Sequence, residues 1–143
     1  MRKELYRALV AALKEVEYGA IKHIDLWNRD IEFIEQDEPW ERPAVFIEFE
    51  PITWHDIVPA KEYRAEARVR LHIITDWMSA GEGVEAVGKY FDLPDKIHEA
   101  IAGLEGETFK DFQLAESYTN HDHEDIVESI EVYTFVALKS VGE

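Results

Sequence analysis

His121 and His123 stand one residue apart in the stretch SYTNHDHEDIVES (117–129), set among Asp122, Glu124, Asp125 and Glu128. On an extended strand, residues i and i+2 face the same side, so two imidazoles at this spacing could grip one metal ion. Glu128 would be the natural third ligand. That pattern is the chemistry of a small metal-binding protein or a metal-assisted enzyme.

The spacing H-x-H-x4-E partly resembles the first metal motif of the cupins. Ala115 and Phe135 stand where that motif has glycines, and no histidine follows among the 15 residues after Glu128. The run HDHEDI also resembles the H-x-H-x-D-H start of the metallo-β-lactamase motif. Its last histidine is replaced by Ile126, and too little chain follows for such a fold. Further ligands would have to come from His23, His55, His72, His98 or scattered carboxylates, and no spacing picks them out. A polar connection between two strands accounts for the segment more simply, since Asn120, Asp122 and Asp125 are residues that turns favour.

Other catalytic signals are absent. The chain has no G-x-S-x-G, P-loop, G-x-G-x-x-G or H-E-x-x-H pattern. With no cysteine, nucleophilic thiols, disulfides and thiolate metal sites are all excluded. With 31 acidic residues, paired carboxylates arise by accident. His72 falls on the polar side of a strand pattern and His98 on the polar side of a helix pattern, and both read as surface residues. No catalytic, cofactor-binding or metal residue is therefore assigned.

The elements that would hold these residues follow from periodicity. Leu5, Leu9, Ala12, Leu13 and Val16 recur at helical spacing, which predicts a first helix over about 2–17 with Gly19 at its end. Strands are expected at 21–27 and 44–54, and 30–36 reads as a strand or a helical turn, with a proline-bearing loop at 36–43 and a turn or loop at 56–63. RAEARVRLHIITDW (64–77) alternates: Ala65, Ala67, Val69, Leu71 and Ile73 point one way and Glu66, Arg68, Arg70 and His72 the other. A glycine-rich, mobile excursion is expected at 78–91. A second helix is expected over about 93–104, with Leu93, Ile97, Ile101 and Leu104 on one face and Pro94 near its start. Two closing strands, 109–118 and 126–138, flank the histidine segment, and Ile130, Val132, Thr134, Val136 and Leu138 share one face of the second. Trp27, Trp40, Trp54 and Trp77 each fall at or beyond a strand end, as core lids or as contacts to a neighbouring subunit. The expectation is one α+β domain spanning 1–143, a mainly antiparallel sheet packed against two helices.

The bulk numbers agree with one domain. A chain of 143 residues buries about 70% of its unfolded surface, and 46% apolar content supplies a core. No apolar run approaches the ~20 residues that cross a bilayer. The N-terminus lacks the uninterrupted apolar region of a signal peptide. A soluble, cytoplasmic protein with no membrane association is expected. With 15 basic against 31 acidic residues, the formal net charge is −16. There is no basic stripe for a phosphate backbone, so specific nucleic-acid binding is not expected.

The order of segments resembles one family along nearly the whole chain. An N-terminal helix, LWN, the proline-led PAVFIEF, LHIITDW, a glycine-rich excursion, KIHEAIAGLEG and a closing strand pair around a polar loop are similar to the tail-completion (tail-terminator) proteins of long-tailed phages and prophages. That resemblance implies a non-enzymatic assembly protein without a cofactor. Its members form a homo-oligomeric ring, commonly hexameric, which ends the tail tube and meets the head connector. It also implies assembly in the host cytoplasm and residence in the virion tail. Six copies at −16 each would surround passing DNA with negative charge, letting it slide without sticking.

Overall fold

The N-terminal apolar stripe folds as its spacing requires. In the computed structural model, which describes residues 1–27, 41–76, 84–120 and 126–141, helix α1 (Arg2–Lys14) buries Leu5, Leu9 and Leu13 completely. Glu4 in its first turn and Lys14 in its last suit the helix dipole. The α-helix ends at Lys14, earlier than the expected 17. There the chain tightens into a 3₁₀ turn (Val16–Tyr18), with Glu17 at φ 45° and Gly19 at φ 88°. Gly19 closes the turn in the left-handed conformation that glycine adopts without strain, and its N–H donates to Val16 O at 3.0 Å.

Among the described residues, six strands form one mixed sheet. They are β1 (His23–Leu26), β2 (Ala44–Phe49), β3 (His55–Val58), β4 (Glu62–Asp76), β5 (Phe109–Asn120) and β6 (Ile126–Ser140), and the spatial order is β1-β2-β4-β6-β5 with β3 also on β4. Among the described pairings, β1 with β2 is parallel and the others are antiparallel. The α+β domain with a mainly antiparallel sheet and two helices is thus the observed fold.

Several boundaries differ from those expected. The strand from Ala44 stops at Phe49, just before Pro51, which cannot donate to a ladder. The stretch 56–63 is not simply a loop, because His55–Val58 pairs with the start of β4 as a hairpin. Ala60 (φ 63°) makes its turn, and Lys61 N–H donates to Val58 O at 2.9 Å. The second helix, α2 (Val84–Ile101), starts well before 93 and ends before 104, so residues 84–91 of the supposed excursion are helical. Pro94 lies inside it, not at its start. Proline removes one intrahelical bond, and Glu85, Ala86 and Lys89 are strong helix formers that outweigh the single Gly88. Leu93, Ile97 and Ile101, all buried, hold this helix to the sheet. Gly103 at φ 76° follows its end, and Leu104 packs against the core just beyond it. The expected strand at 30–36, Trp40, Trp77, His121 and His123 lie outside the described residues.

Both helices cover one face of the sheet. Their leucines and isoleucines join Val45, Ile47, Ala67, Val69, Leu71, Tyr133 and Phe135 in the main core. On β6 the helix-covered set is therefore Tyr133, Phe135 and Ala137, and the alternating set of Ile130, Val132 and Thr134 faces the other way. Tyr133 is fully buried between Phe112, stacked at 4.8 Å, and His98, whose Nδ1 lies 3.0 Å from its hydroxyl. Burial first, and then the neighbouring Glu131, push the Tyr133 phenol above its usual range.

A clasp joins the first helix to the turn before β5. Glu4 accepts hydrogen bonds from the Thr108 hydroxyl (2.7 Å), Thr108 N–H (2.8 Å) and Glu107 N–H (3.2 Å). Gly106 must be glycine for this approach: a Cβ there would lie 2.5 Å from a Glu4 oxygen and 2.7 Å from the Phe109 ring. Gly106→Ala is therefore expected to lower unfolding free energy by about 1–3 kcal/mol through overpacking. Urea unfolding should show a lower midpoint at constant slope; an unchanged midpoint would contradict the close approach.

Candidate functional site

The face of the sheet opposite the helices carries the titratable residues. Strand alternation forces this: because Val69, Leu71 and Ile73 point into the core, Arg68, Arg70 and His72 point to the other side. Register then supplies neighbours. Phe46 of β2 lies opposite His72, and Glu48 opposite Arg70. On the far side of β4, His72 faces Ile130 and Ile74 faces Glu128.

His72 is the centre of the arrangement, and it is buried at 4% exposure instead of lying on the surface as its strand pattern implied. Its Nδ1 lies 2.6 Å from Glu128 Oε2, and its Nε2 lies 2.7 Å from Glu48 Oε1. Asn120 Nδ2 donates to the other Glu128 oxygen at 2.8 Å. Four adjacent strands are thus tied through one imidazole: β2 by Glu48, β4 by His72, β6 by Glu128 and β5 by Asn120. Trp27, just past β1, stacks on the His72 ring at 3.7 Å and 9°, and meets Phe46 edge-on at 6.2 Å. Trp27 is a core lid. Trp54 also packs against the core, partly buried.

Proton counting limits what this cluster can do. Two ionised carboxylates at the two ring nitrogens can both be satisfied only by a ring carrying both protons; otherwise one carboxyl must carry the proton. In either case neither ring nitrogen has a lone pair or proton left for a substrate, and indole covers a face of the ring. A general base needs a nitrogen within reach of a reacting group. His72 has its bonding capacity directed inward.

A second polar line runs beside the first. Glu50 Oε2 accepts from Arg68 Nε at 3.1 Å and Arg70 Nε at 3.2 Å. Arg68 Nη2 continues to Glu116 at 3.2 Å, and Arg70 Nη1 to the Tyr118 hydroxyl at 3.4 Å. Burial raises the proton affinity of Glu50, but the two guanidinium bonds more than reverse it and hold its pKa below the ordinary value of 4.5. The pKa of Glu4 is likewise lowered, chiefly by the Thr108 hydroxyl. Glu131 goes the other way, raised by burial against the opposing bond from Ser117.

Among the described residues no group of three or more His, Cys, Asp or Glu is disposed to hold a metal ion. Of the H-x-H-x4-E pattern, only Glu128 is described, and its carboxylate is engaged with His72 and Asn120. β5 and β6 are antiparallel neighbours whose register brings Asn120 opposite Glu128. His98 sits half-buried against Tyr133, not on an open surface. Glu48 and Asn120 gave no motif signal; their only mark is a polar side chain inside or at the end of an alternating strand.

No protein-family model matches the chain, and no curated protein matches it at a significant level.

Two outcomes are expected. Replacing His72 by leucine leaves the buried Glu128 carboxylate without its imidazole and should cost about 3–5 kcal/mol, while His72→Leu/Glu128→Leu together should recover part of that loss. Urea titrations of the double-mutant cycle measure the coupling; strictly additive losses would show that the contact contributes nothing. The lowered pKa values of Glu4 and Glu50 set the acid limb. Their contribution is fully present above the ordinary carboxylate value and is lost as pH falls through the lowered folded values, with Glu131 opposing it. Unfolding free energy should therefore fall on acidification below about pH 5, and less steeply in Glu4→Gln. An identical slope in that variant would remove Glu4 from the account.

Proposed function

We propose that this chain is a non-enzymatic assembly subunit of a phage or prophage tail. It forms a homo-oligomeric ring that terminates the tail tube and joins it to the head connector. The observation that carries the reading is the inward saturation of the polar face. The buried histidine, its two carboxylates and Asn120 bond to one another across four strands, and beside them two arginines share Glu50. Such a network ties neighbouring strands together, and both ring nitrogens of His72 are taken up within it.

Three further features support the reading. The element order is the one that the resemblance requires: helix, sheet strands, second helix, closing strand pair. The β3–β4 hairpin carries exposed Ile57 and Val58 near exposed Val141, apolar surface that an assembly would cover. The net charge of −16 suits a lumen through which DNA slides. Partners on this reading are further copies of the chain, a tail-tube protein and a head-connector protein. The subunit would assemble in the host cytoplasm and remain in the virion tail.

Light scattering of the purified chain, alone and with polymerised tail tube, tests this directly. A ring, expected to be hexameric, should form alone or on the tube end and appear as an annulus by electron microscopy. A chain that stays monomeric and leaves tube ends bare would refute the proposal.

A further inference from the structure

A ring closed by one repeated contact needs two different, complementary patches on every subunit. The described surface contains such a pair. On the flank of α1, Arg2, Lys3 and Arg7 surround Tyr6, Leu26 and Phe49 in an open hollow of about 600 Å3. Leu26, the last residue of β1, is 47% exposed. The three cations make no ion pair among the described residues, whereas Arg42, Arg68, Arg70 and Lys96 are each paired with a carboxylate. Lys14, Lys22, Lys61, Arg64, Lys110 and Lys139 also make no ion pair among the described residues, so what marks Arg2, Lys3 and Arg7 is their grouping around apolar surface.

The complementary surface lies on α2. Phe91, Asp95 and Glu99 follow one another at i, i+4 and i+8, and Asp92 lies three residues before Asp95, so the four share one side of the helix. All four are exposed, Phe91 at 48%. Lys96, the one cation in this stretch, is held by Glu17. One patch therefore presents an aromatic knob with three carboxylates, and the other an apolar hollow with three cations.

We infer that the α1 hollow is the docking site for α2 of a second copy of this chain, with Phe91 entering between Tyr6, Leu26 and Phe49. Asp92, Asp95 and Glu99 meet Arg2, Lys3 and Arg7. The occupant is another copy because its charge is opposite and its patch is present in every subunit. The contact is heterologous, since α1 of one subunit meets α2 of the next, and repetition closes a ring. Burial of Phe91 supplies most of the affinity, and the charges set orientation, association rate and salt sensitivity. This inference rests on the ring reading above.

The test uses two full-length charge-reversed variants. R2E/R7E carries acidic residues on both patches, and D95K/E99K carries basic residues on both. Each variant alone should associate at least about tenfold more weakly than the unmodified chain. An equimolar mixture should assemble, because each acidic patch then meets a basic one in strict alternation. A general loss of folding would not be rescued by mixing, and circular dichroism checks each variant. Sedimentation velocity reads the masses, and Phe91→Ser should weaken the unmodified assembly. If the unmodified chain forms a ring and both variants alone do so equally well, this interface is wrong while the ring reading stands. Variants that fail alone and stay apart on mixing also overturn the pairing. An unmodified chain that never self-associates, alone or on tail tubes, overturns the ring reading and this contact together.

Discussion

The pairing of β4 with β6 is the constraint on which the rest of the molecule depends. It runs without interruption from Glu62 opposite Ser140 to Asp76 opposite Ile126. Side chains on a strand alternate with a period of two, so this single register assigns every residue of both strands to a face. One face receives Val69, Leu71, Ile73, Tyr133 and Phe135, which the two helices cover. The other must then receive Arg68, Arg70, His72 and Glu128. A slip of one residue would drive the arginines into the leucines of α1, and the size of that penalty is what keeps the register unique.

The polar face follows as a consequence. Charged groups on a central strand cannot all reach water, so they must find partners on neighbouring strands. Glu48, Glu128 and Asn120 close around His72, and Glu50 bridges two arginines. The bonds of the His72 cluster cross from one strand to the next, so they resist sliding between strands as well as balancing charge. The two helices cover one face, and on their outer flanks the described residues expose the unpaired cations of α1 and the carboxylates of α2.

Much of the architecture was legible in residue order. The leucines of α1, the alternation of 64–76 and the strand pair around the histidine segment each carry a periodicity that only one kind of element satisfies. The misreadings share a cause. Pro94 looked like a helix start because proline is favoured there, but the core anchoring of Leu93, Ile97 and Ile101 carries the helix through it. The segment 56–63 looked like a loop because Pro59 and the turn residues dominate it, and its pairing with β4 is a long-range fact. His72 looked exposed because a polar face normally meets water; its burial depends on Trp27, distant in sequence.

The residues by themselves determined most of the local elements, the single α+β domain and the strongly negative charge, because these depend on periodicity and composition within short windows. They also singled out His121 and His123, which a spacing rule finds wherever they occur. Only the tertiary structure decided that His72, Glu48, Glu128 and Asn120 belong together. Those residues come from four strands separated by as many as 80 positions of chain, and the hydrogen bonds between them exist only once strand order and register are set. Sequence spacing carries no trace of a contact whose geometry is created by folding.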